Sequence, residues 1–220
     1  MIVGSIAMMD SHMSGNHINN NYMNNKSIFI PAQALVCALK YRDEYTQLHS
    51  ERVAGLALDL GKKCDLSLLE LDILTIAANL HDIGKIGIAD NVLLKPGRFE
   101  PSEWEEMKTH AEKSEGIING LAFVGKDIVG KAVRHHHEKF DGTGYPDNLI
   151  GEEIPIMSRI ISIVDNYDAL SEKRSYHSVR THDEVMKIMQ EEAPEKFDLV
   201  VFQIFIKLIE TSRFKTNTSM

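Results

Sequence analysis

From Pro31 onward, apolar residues recur at helical spacing. Ala34, Leu35, Ala38 and Leu39 form one stripe, and Val53, Leu56, Ala57 and Leu60 form another, with Gly61 expected to close the second helix as a C-cap. Ser67 followed by Glu70 reads as a capping box opening a helix that runs through Leu71, Leu74, Ala78 and Leu80 into His81. A loop follows at Pro96-Gly97, and Ser102 is the expected N-cap of the next helix. Ile128, Val129, Ala132 and Val133 place a helix directly before three consecutive histidines, His135, His136 and His137. The helical period resumes from Ile156 to Leu170, and two more helices are expected near 181–192 and 198–210. No stretch alternates as a half-buried strand does, and no internal repeat is visible. The expected fold class is all-α, a helical bundle. Between its helices lies a long loop, 138–155, punctuated by Gly142, Gly144, Pro146, Gly151 and Pro155; long ordered loops inside compact domains are often functional.

Residues 1–28 break the pattern. They are rich in Asn, Ser and Met without a period, which predicts a flexible tail in which His12 and His17 are solvated. The folded domain is expected over 29–212, with a short C-terminal tail over 213–220. A chain of 220 residues suits one such domain. Its net charge of −8 argues against binding a DNA or RNA backbone. A small anionic substrate is still compatible with that charge if bound metal ions set the local field. Cys37 and Cys64 are too few for a disulfide framework, which favours a reducing compartment. No apolar run approaches the roughly 20 residues that span a bilayer. The apolar first nine residues have no basic residue before them and end at Asp10, so they do not read as a signal peptide. The expectation is a cytoplasmic protein with no membrane partner.

Ten histidines are the compositional outlier. His81-Asp82 ends an apolar helix and runs into Gly84-Lys85. Imidazole and carboxylate suit Fe, Mn, Zn or Ni. Neighbours on a helix point about 100° apart, so the pair reaches one metal only where the helix ends, or serves two neighbouring metals with Asp82 as a bridge. The competing reading is a helix-capping pair. His136 and His137 repeat the situation before Glu138 and the glycine-rich loop; against a metal stands the ordinary preference of histidine for helix C-termini. Asp165 and Asp168 lie in an otherwise apolar helix, where an unpaired buried carboxylate is costly and a metal ion would relieve it. The alternative is an exposed face. His49 and His110, taken alone, read as structural histidines.

In combination, HDIGK (81–85), HHHEKFDGTGYP (135–146) and DNYDAL (165–170) resemble the HD-GYP family of the HD phosphohydrolase superfamily, over about residues 31–210. The stretch YTQLHSERV (45–53) is similar to that family's first histidine motif, and HAEK (110–113) to its middle one. The resemblance implies an HD-domain helical bundle with a metal centre between helices. It also implies hydrolysis of a cyclic dinucleotide second messenger, cyclic di-GMP or cyclic GMP-AMP. Two divalent transition-metal ions are implied, iron or manganese before nickel or zinc. His49, His81, Asp82 and Asp165 would hold one; Asp82 as a bridge, with His110, His136 and His137, would hold the other. Lys85 and Asp82 become catalytic candidates, with Lys85 beside the transition state, and Gly144, Tyr145, Arg174 and His177 become substrate contacts. The partners implied are the cyclic dinucleotide, a diguanylate cyclase domain docking at the GYP loop, and a second copy as homodimer.

The departures from the family pattern carry expectations too. Tyr45 stands where some members place a Glu that supplies a third metal, so two metals are expected, with cleavage favouring the linear dinucleotide. His177 replaces a usual basic residue in Arg174-Ser175-Tyr176-His177, and Ser114 replaces a usual glycine, read as a packing change. His135 is not expected to be a ligand. Two further readings stay open: a broader HD-type nucleotide phosphohydrolase with a closed pocket, and a non-catalytic binding module. Loss of a metal ligand would favour the second, and none of the seven is lost.

Overall fold

A computed structural model describes residues 34–38, 41, 44–123, 125–172 and 180–216, with the side chains of 44–47 excepted. The expected tail over 1–28, the Tyr45 side chain, Arg174 and His177 lie outside the described residues. Within them the chain is helical, with no strand. After a helical stretch over 34–38 come α1 (Glu44–Lys63), α2 (Leu68–Leu80), a 3-10 helix (Ile83–Gly87), α3 (Asp90–Leu93), α4 (Pro101–Lys108), α5 (His110–Asn119) and α6 (Lys126–Arg134). A second 3-10 helix (Gly151–Glu153) precedes α7 (Ile156–Ser171), α8 (His182–Lys196) and α9 (Leu199–Ile209).

Helix α7 is the axis of the bundle. Ile160, Ile161, Ile163, Val164 and Tyr167 are all buried, so the helix is enclosed on several sides rather than along one stripe. It packs against α1, α6, α8 and α9, while α1 also lies along α2, and α2 against α6. The stripe Val53, Leu56, Ala57 and Leu60 enters this core as its spacing predicts. A smaller cluster of Ile88, Val92 and Met107 holds α3 and α4 beside the main core.

Local signals set most boundaries. Ser67 and Glu70 form the predicted capping box: the Ser67 N–H donates to Glu70 Oε2 at 2.8 Å, and the Glu70 N–H to Ser67 Oγ at 3.4 Å. Three expectations are corrected. Gly61 does not end α1, which continues to Lys63. Its lack of a side chain serves packing: an added Cβ would lie 2.7 Å from Leu74 Cδ2 and 3.0 Å from Leu71 Cδ2. Helix α4 starts one residue before Ser102, because Pro101 fits the first helical position and Glu100 is the N-cap; the Glu100 N–H donates to Glu103 Oε2 at 2.7 Å. The fold also extends past residue 212. Phe214 packs against the core, and the Thr216 N–H donates to the Tyr167 hydroxyl at 3.1 Å. Cys37 and Cys64 are free thiols. No helix among the described residues is long and apolar enough to cross a membrane.

Leu74, fully buried where α1 and α2 meet, tests this packing. Leu74→Ala is expected to lower unfolding stability by about 2–5 kcal/mol in a denaturant titration. A loss within experimental error of zero would mean that this interface does not carry the fold.

Candidate metal centre and adjoining cleft

The fold brings His49, His81, Asp82, His110, His136, His137 and Asp165 into two adjoining groups: Asp82, His110, His136 and His137 in one, and His49, His81 and Asp165 in the other. They come from the middle of α1 and α7, the end of α2, the start of α5 and the segment after α6. His81 caps the C-terminus of α2 and Asp82 opens the following 3-10 helix, so the chain turns between them and both face inward. The Asp82 carboxylate lies between the groups. Its Oδ1 is 3.3 Å from His110 Nε2, and its Oδ2 is 3.4 Å from His81 Nε2.

Three histidines are oriented by one device. The Nδ1–H of His81 donates to the Ala78 carbonyl at 2.7 Å, that of His110 to Met107 at 2.7 Å and that of His136 to Val133 at 2.6 Å. A carbonyl only accepts, so Nδ1 carries the proton in each ring and Nε2 is turned inward. Burial pushes the pKa of His136 down to about 3, helped by His81 and His110. Burial lowers His110 as well, and it holds His137 well below the ordinary range with His136 and His110 adding to the effect. The 3.5 Å approach of His110 Nε2 to His136 Nε2 is therefore a meeting of lone pairs. His81 Nε2 is buried without a hydrogen-bond partner, with Asp165 Oδ1 3.8 Å away as well as Asp82 Oδ2. Imidazole nitrogens and carboxylate oxygens converging in this way fit a cation. The mixed imidazole and carboxylate set fits a first-row transition metal.

His49 sits deeper in α1 and is held differently. Its Nδ1 contacts Asp168 Oδ2 at 2.7 Å and its Nε2 contacts Asp165 Oδ1 at 3.0 Å. Burial works against its charge, but the two carboxylates prevail and raise its pKa to about 9. Asp168 is in turn gripped by Arg52, whose Nε donates to Oδ1 at 2.7 Å and whose Nη2 donates to Oδ2 at 2.9 Å. Asp168 thus orients a donor, an arrangement typical of metal-binding histidines. Its role, and that of Arg52, escaped the sequence reading. The available signal was spacing: Arg52 follows His49, and Asp168 follows Asp165, by one helical turn. Ser114 was also misread as a packing change. Its Oγ accepts from the Gly84 N–H at 2.8 Å and donates to the His81 carbonyl at 2.8 Å, tying α5 to the HDIGK turn. A side chain at Gly84 would put Cβ 2.0 Å from the His110 carbonyl oxygen, which explains that glycine.

Lys85 Nζ lies 2.5 Å from Asp82 Oδ2 at the edge of the centre. Burial opposes the Asp82 charge, yet Lys85 and the surrounding histidines hold its carboxyl well below the usual range. His135 Nε2 lies 2.9 Å from Asp147 Oδ2, outside both groups. The GYP segment covers the outer face. Tyr145 lies over His137 with ring centroids 4.8 Å apart. Gly144 is needed for packing, since an added Cβ would meet the Lys139 nitrogen at 2.2 Å and Glu138 Cα at 2.5 Å. Glu138 Oε1 accepts the Asp147 N–H at 2.7 Å and pins the loop. Between this loop and α4, α7 and α8 runs a cleft of about 470 Å³ reaching His137 and Asp165, with Gly144 and Tyr145 on its wall. Trp104, Lys108 and Lys196 also line it, none of them foreseen from the sequence.

The fold is thus an all-α bundle with a buried, two-group His/Asp cluster that could hold metal ions beside a cleft. The chain belongs to the HD domain family, whose model matches residues 33–201. It is 37% identical over 164 residues to the cyclic di-GMP phosphodiesterase response regulator RpfG of Xanthomonas campestris, covering 74% of this chain and 43% of that protein. It is 35% identical over 177 residues to the 3'3'-cGAMP-specific phosphodiesterase 2 of Vibrio cholerae, covering 79% of this chain and 33% of that protein. The chain thus spans less than half the length of either relative. Among solved structures, the HDG"Y"P protein Bd1817 of Bdellovibrio bacteriovorus shares the fold, with a TM-score of 0.63, 18% identity, and 89% and 67% of the two chains covered.

The proton on His49 gives a test of the donor set. A metal ion at His49, His81 and Asp165 must expel it, whereas His136 and His137 are already neutral at pH 7. Metal affinity is expected to rise with pH and level off near about 9. In the metal-free protein the sign is opposite: a raised pKa adds stability that is complete below the ordinary value of 6.5 and lost as pH rises through about 9. Calorimetric Mn²⁺ titrations in buffers of different ionisation enthalpy should detect this proton release at pH 7.5. A pH-independent affinity between 6.5 and 9 would remove His49 from the donor set.

Proposed function

We propose that this domain is a two-metal cyclic dinucleotide phosphodiesterase of the HD-GYP type, acting in the cytoplasm on cyclic di-GMP. The observation that carries the reading is the Asp82 carboxylate, with one oxygen beside each donor group. His49, His81, Asp82 and Asp165 are assigned to one ion, and Asp82, His110, His136 and His137 to the other, with iron or manganese as the metals. Two such ions supply positive charge at a phosphodiester and acidify a water there.

The chain's own groups do the rest. Water adds to phosphorus, the bond from phosphorus to the 3′-oxygen breaks, and that oxygen takes a proton to leave as a hydroxyl. Lys85, a quarter exposed at the rim, is placed to neutralise charge developing on the phosphoryl oxygens. Burial, with the nearby Asp82 and Asp165 charges, pushes the Tyr145 phenol pKa upward, so it stays protonated and can donate a hydrogen bond to the substrate. Gly144 shapes the wall behind it. Arg174 and His177 are retained as contacts to the second phosphate on the resemblance alone, as is a cyclase partner at the GYP loop. Cyclic GMP-AMP is the second reading, favoured by the relative named for that substrate.

The decisive assay is turnover of cyclic di-GMP and cyclic GMP-AMP by protein purified without oxygen, with elemental analysis of the same sample. About two transition-metal ions per chain are expected. Asp82→Ala should abolish turnover and reduce metal content in both groups. Lys85→Ala should keep the metals and lower kcat by about a hundredfold. The reverse pattern would overturn the assignment of roles.

The product is a separate prediction. With Tyr45 in place of the extra carboxylate, and a phenol with an ordinary pKa of about 10, no third cation is held. The linear dinucleotide pGpG is expected to accumulate, with mononucleotide appearing slowly. Prompt conversion to GMP without a pGpG phase, followed by chromatography, would refute the two-metal, single-cut reading.

A further inference from the structure

Beyond the metals, the cleft has a wall whose chemistry the reaction does not need. Trp104 and Lys108 lie one helical turn apart on α4 and both face the cleft. The indole stacks on Phe99, with centroids 6.2 Å apart and an interplanar angle of 24°. Its edge meets Tyr145 at 6.1 Å and 84°. Yet Trp104 stays 44% exposed. The ring is thus flanked by Phe99 and Tyr145 and still leaves much of its surface open to a ligand. An aromatic ring held this way loses little freedom when a flat ligand stacks on it.

Charge adds a second, independent indication. Lys108 Nζ lies 5.9 Å from the Tyr145 ring centre, and Lys139 and Lys196 also line the cleft. Three cations collect here in a chain of net charge −8, with Lys108 Nζ 2.8 Å from Glu105 Oε1 and Lys196 Nζ 2.9 Å from Glu192 Oε2. The order from the centre outward is His137, then Tyr145 at 4.8 Å, then Trp104. The wall formed by Tyr145 and Trp104 therefore adjoins the place where a phosphate at the metal centre would carry its nucleoside.

We infer that Trp104 and Lys108 form a nucleobase-and-phosphate subsite, in which a purine of the cyclic dinucleotide stacks on the open indole face and Lys108 meets the phosphate next to it. This rests on the phosphodiesterase reading and deepens it by naming which part of the substrate is gripped outside the metal centre. Stacking uses a π-face that every base possesses, so this subsite holds guanine and adenine alike. It therefore sets affinity, and the choice between cyclic di-GMP and cyclic GMP-AMP is made elsewhere in the cleft. The subsite binds ground state and transition state equally, so its loss raises KM and spares kcat.

Trp104 is the sole tryptophan of the chain, so its emission reports on this wall alone. The metal-loaded Lys85→Ala protein, slowed in turnover, is titrated with cyclic di-GMP, and with ribose 5-phosphate as a ligand that carries phosphate but no base. Cyclic di-GMP is expected to quench and shift the emission, and ribose 5-phosphate to leave it unchanged. In the otherwise native chain, Trp104→Ala should raise KM for both cyclic dinucleotides by about 5- to 150-fold, with kcat changed by less than about threefold. Trp104→Phe, which keeps a flat ring and guards against a folding defect, should recover much of that loss. Lys108→Gln should raise KM by an amount that shrinks as salt is added.

Intact turnover with an unchanged KM in Trp104→Ala and silent emission would overturn the subsite and leave the phosphodiesterase reading standing. Quenching by cyclic di-GMP in a chain whose native form shows no turnover would support the subsite and overturn the catalytic reading. A response to ribose 5-phosphate equal to that of cyclic di-GMP would overturn stacking, since no base is then involved. A fall in kcat with unchanged KM would also overturn it, placing Trp104 in support of the metal centre instead.

Discussion

The centre depends on burying imidazoles and carboxylates with their inward-facing atoms free of competing donors, and helix C-termini make this feasible. The last carbonyls of a helix lack intrahelical partners and would themselves need donors. At the ends of α2, α4 and α6, the last-turn carbonyls of Ala78, Met107 and Val133 each take the Nδ1–H of a histidine three residues later. One hydrogen bond thus satisfies a terminal carbonyl, fixes a tautomer and aims a lone pair. The negative ends of three helix dipoles also converge on the same region, which favours a cation there, while burial keeps His110 and His136 neutral. Shifting any of the three helix ends by one residue would swing its histidine by about 100° and open the centre.

The other side of the centre cannot use that device. His49 and Asp165 lie inside long helices whose carbonyls are committed to backbone bonds, so orientation has to come from side chains. Asp168 and Arg52 provide it through a charge-assisted chain across α1 and α7. Burial works against the Asp168 charge, but the bonds from His49 and Arg52 hold its carboxyl below the ordinary range. The donors therefore differ in protonation before any metal arrives: burial keeps His110, His136 and His137 neutral, whereas His49 is protonated between two carboxylates. Metal loading has a proton cost on one side only.

This contrast also explains what the sequence made legible. Helix ends leave strong local marks, and His81-Asp82 and His136-His137 were recognisable because each stands where an apolar period stops. The capping box at Ser67 and the buried stripe of α1 are equally local and came out as expected. Mid-helix residues leave no such mark. His49, inside α1, read as structural alone, as did His110 at the start of α5, and both joined the set only through ordered motifs along the whole chain. Arg52 was hidden for the same reason, since a helical turn between a charged residue and a histidine is common on any exposed face; Asp168 stood out as a buried carboxylate, but nothing local marked it as the group that orients His49. Glycines misled where space rather than dihedral freedom mattered: Gly61 lies inside α1 because Leu71 and Leu74 need the room. Trp104 and Lys196 could not be found locally, because α4 and α8 meet the GYP loop only in the folded chain.

The acidic composition looks unfavourable for an anionic ligand, and the geometry shows why the global figure decides little. At physiological ionic strength, charges more than about 8–10 Å apart are largely screened in solvent, so the field a ligand feels is that of the nearest groups. Around the cleft those groups include Lys85, Lys108, Lys139 and Lys196. The buried carboxylates facing them are already engaged, Asp82 with Lys85 and Asp165 with His49. A divalent cation added between them reverses the local sign further, because it carries more charge than the single His49 proton it displaces. The centre thus becomes more attractive to a phosphodiester when loaded, while the remaining surface keeps its repulsion towards long polyanions. A net charge of −8 argues against a long polyanion as partner, while the position of a few cations beside a metal-ready centre suits a small one.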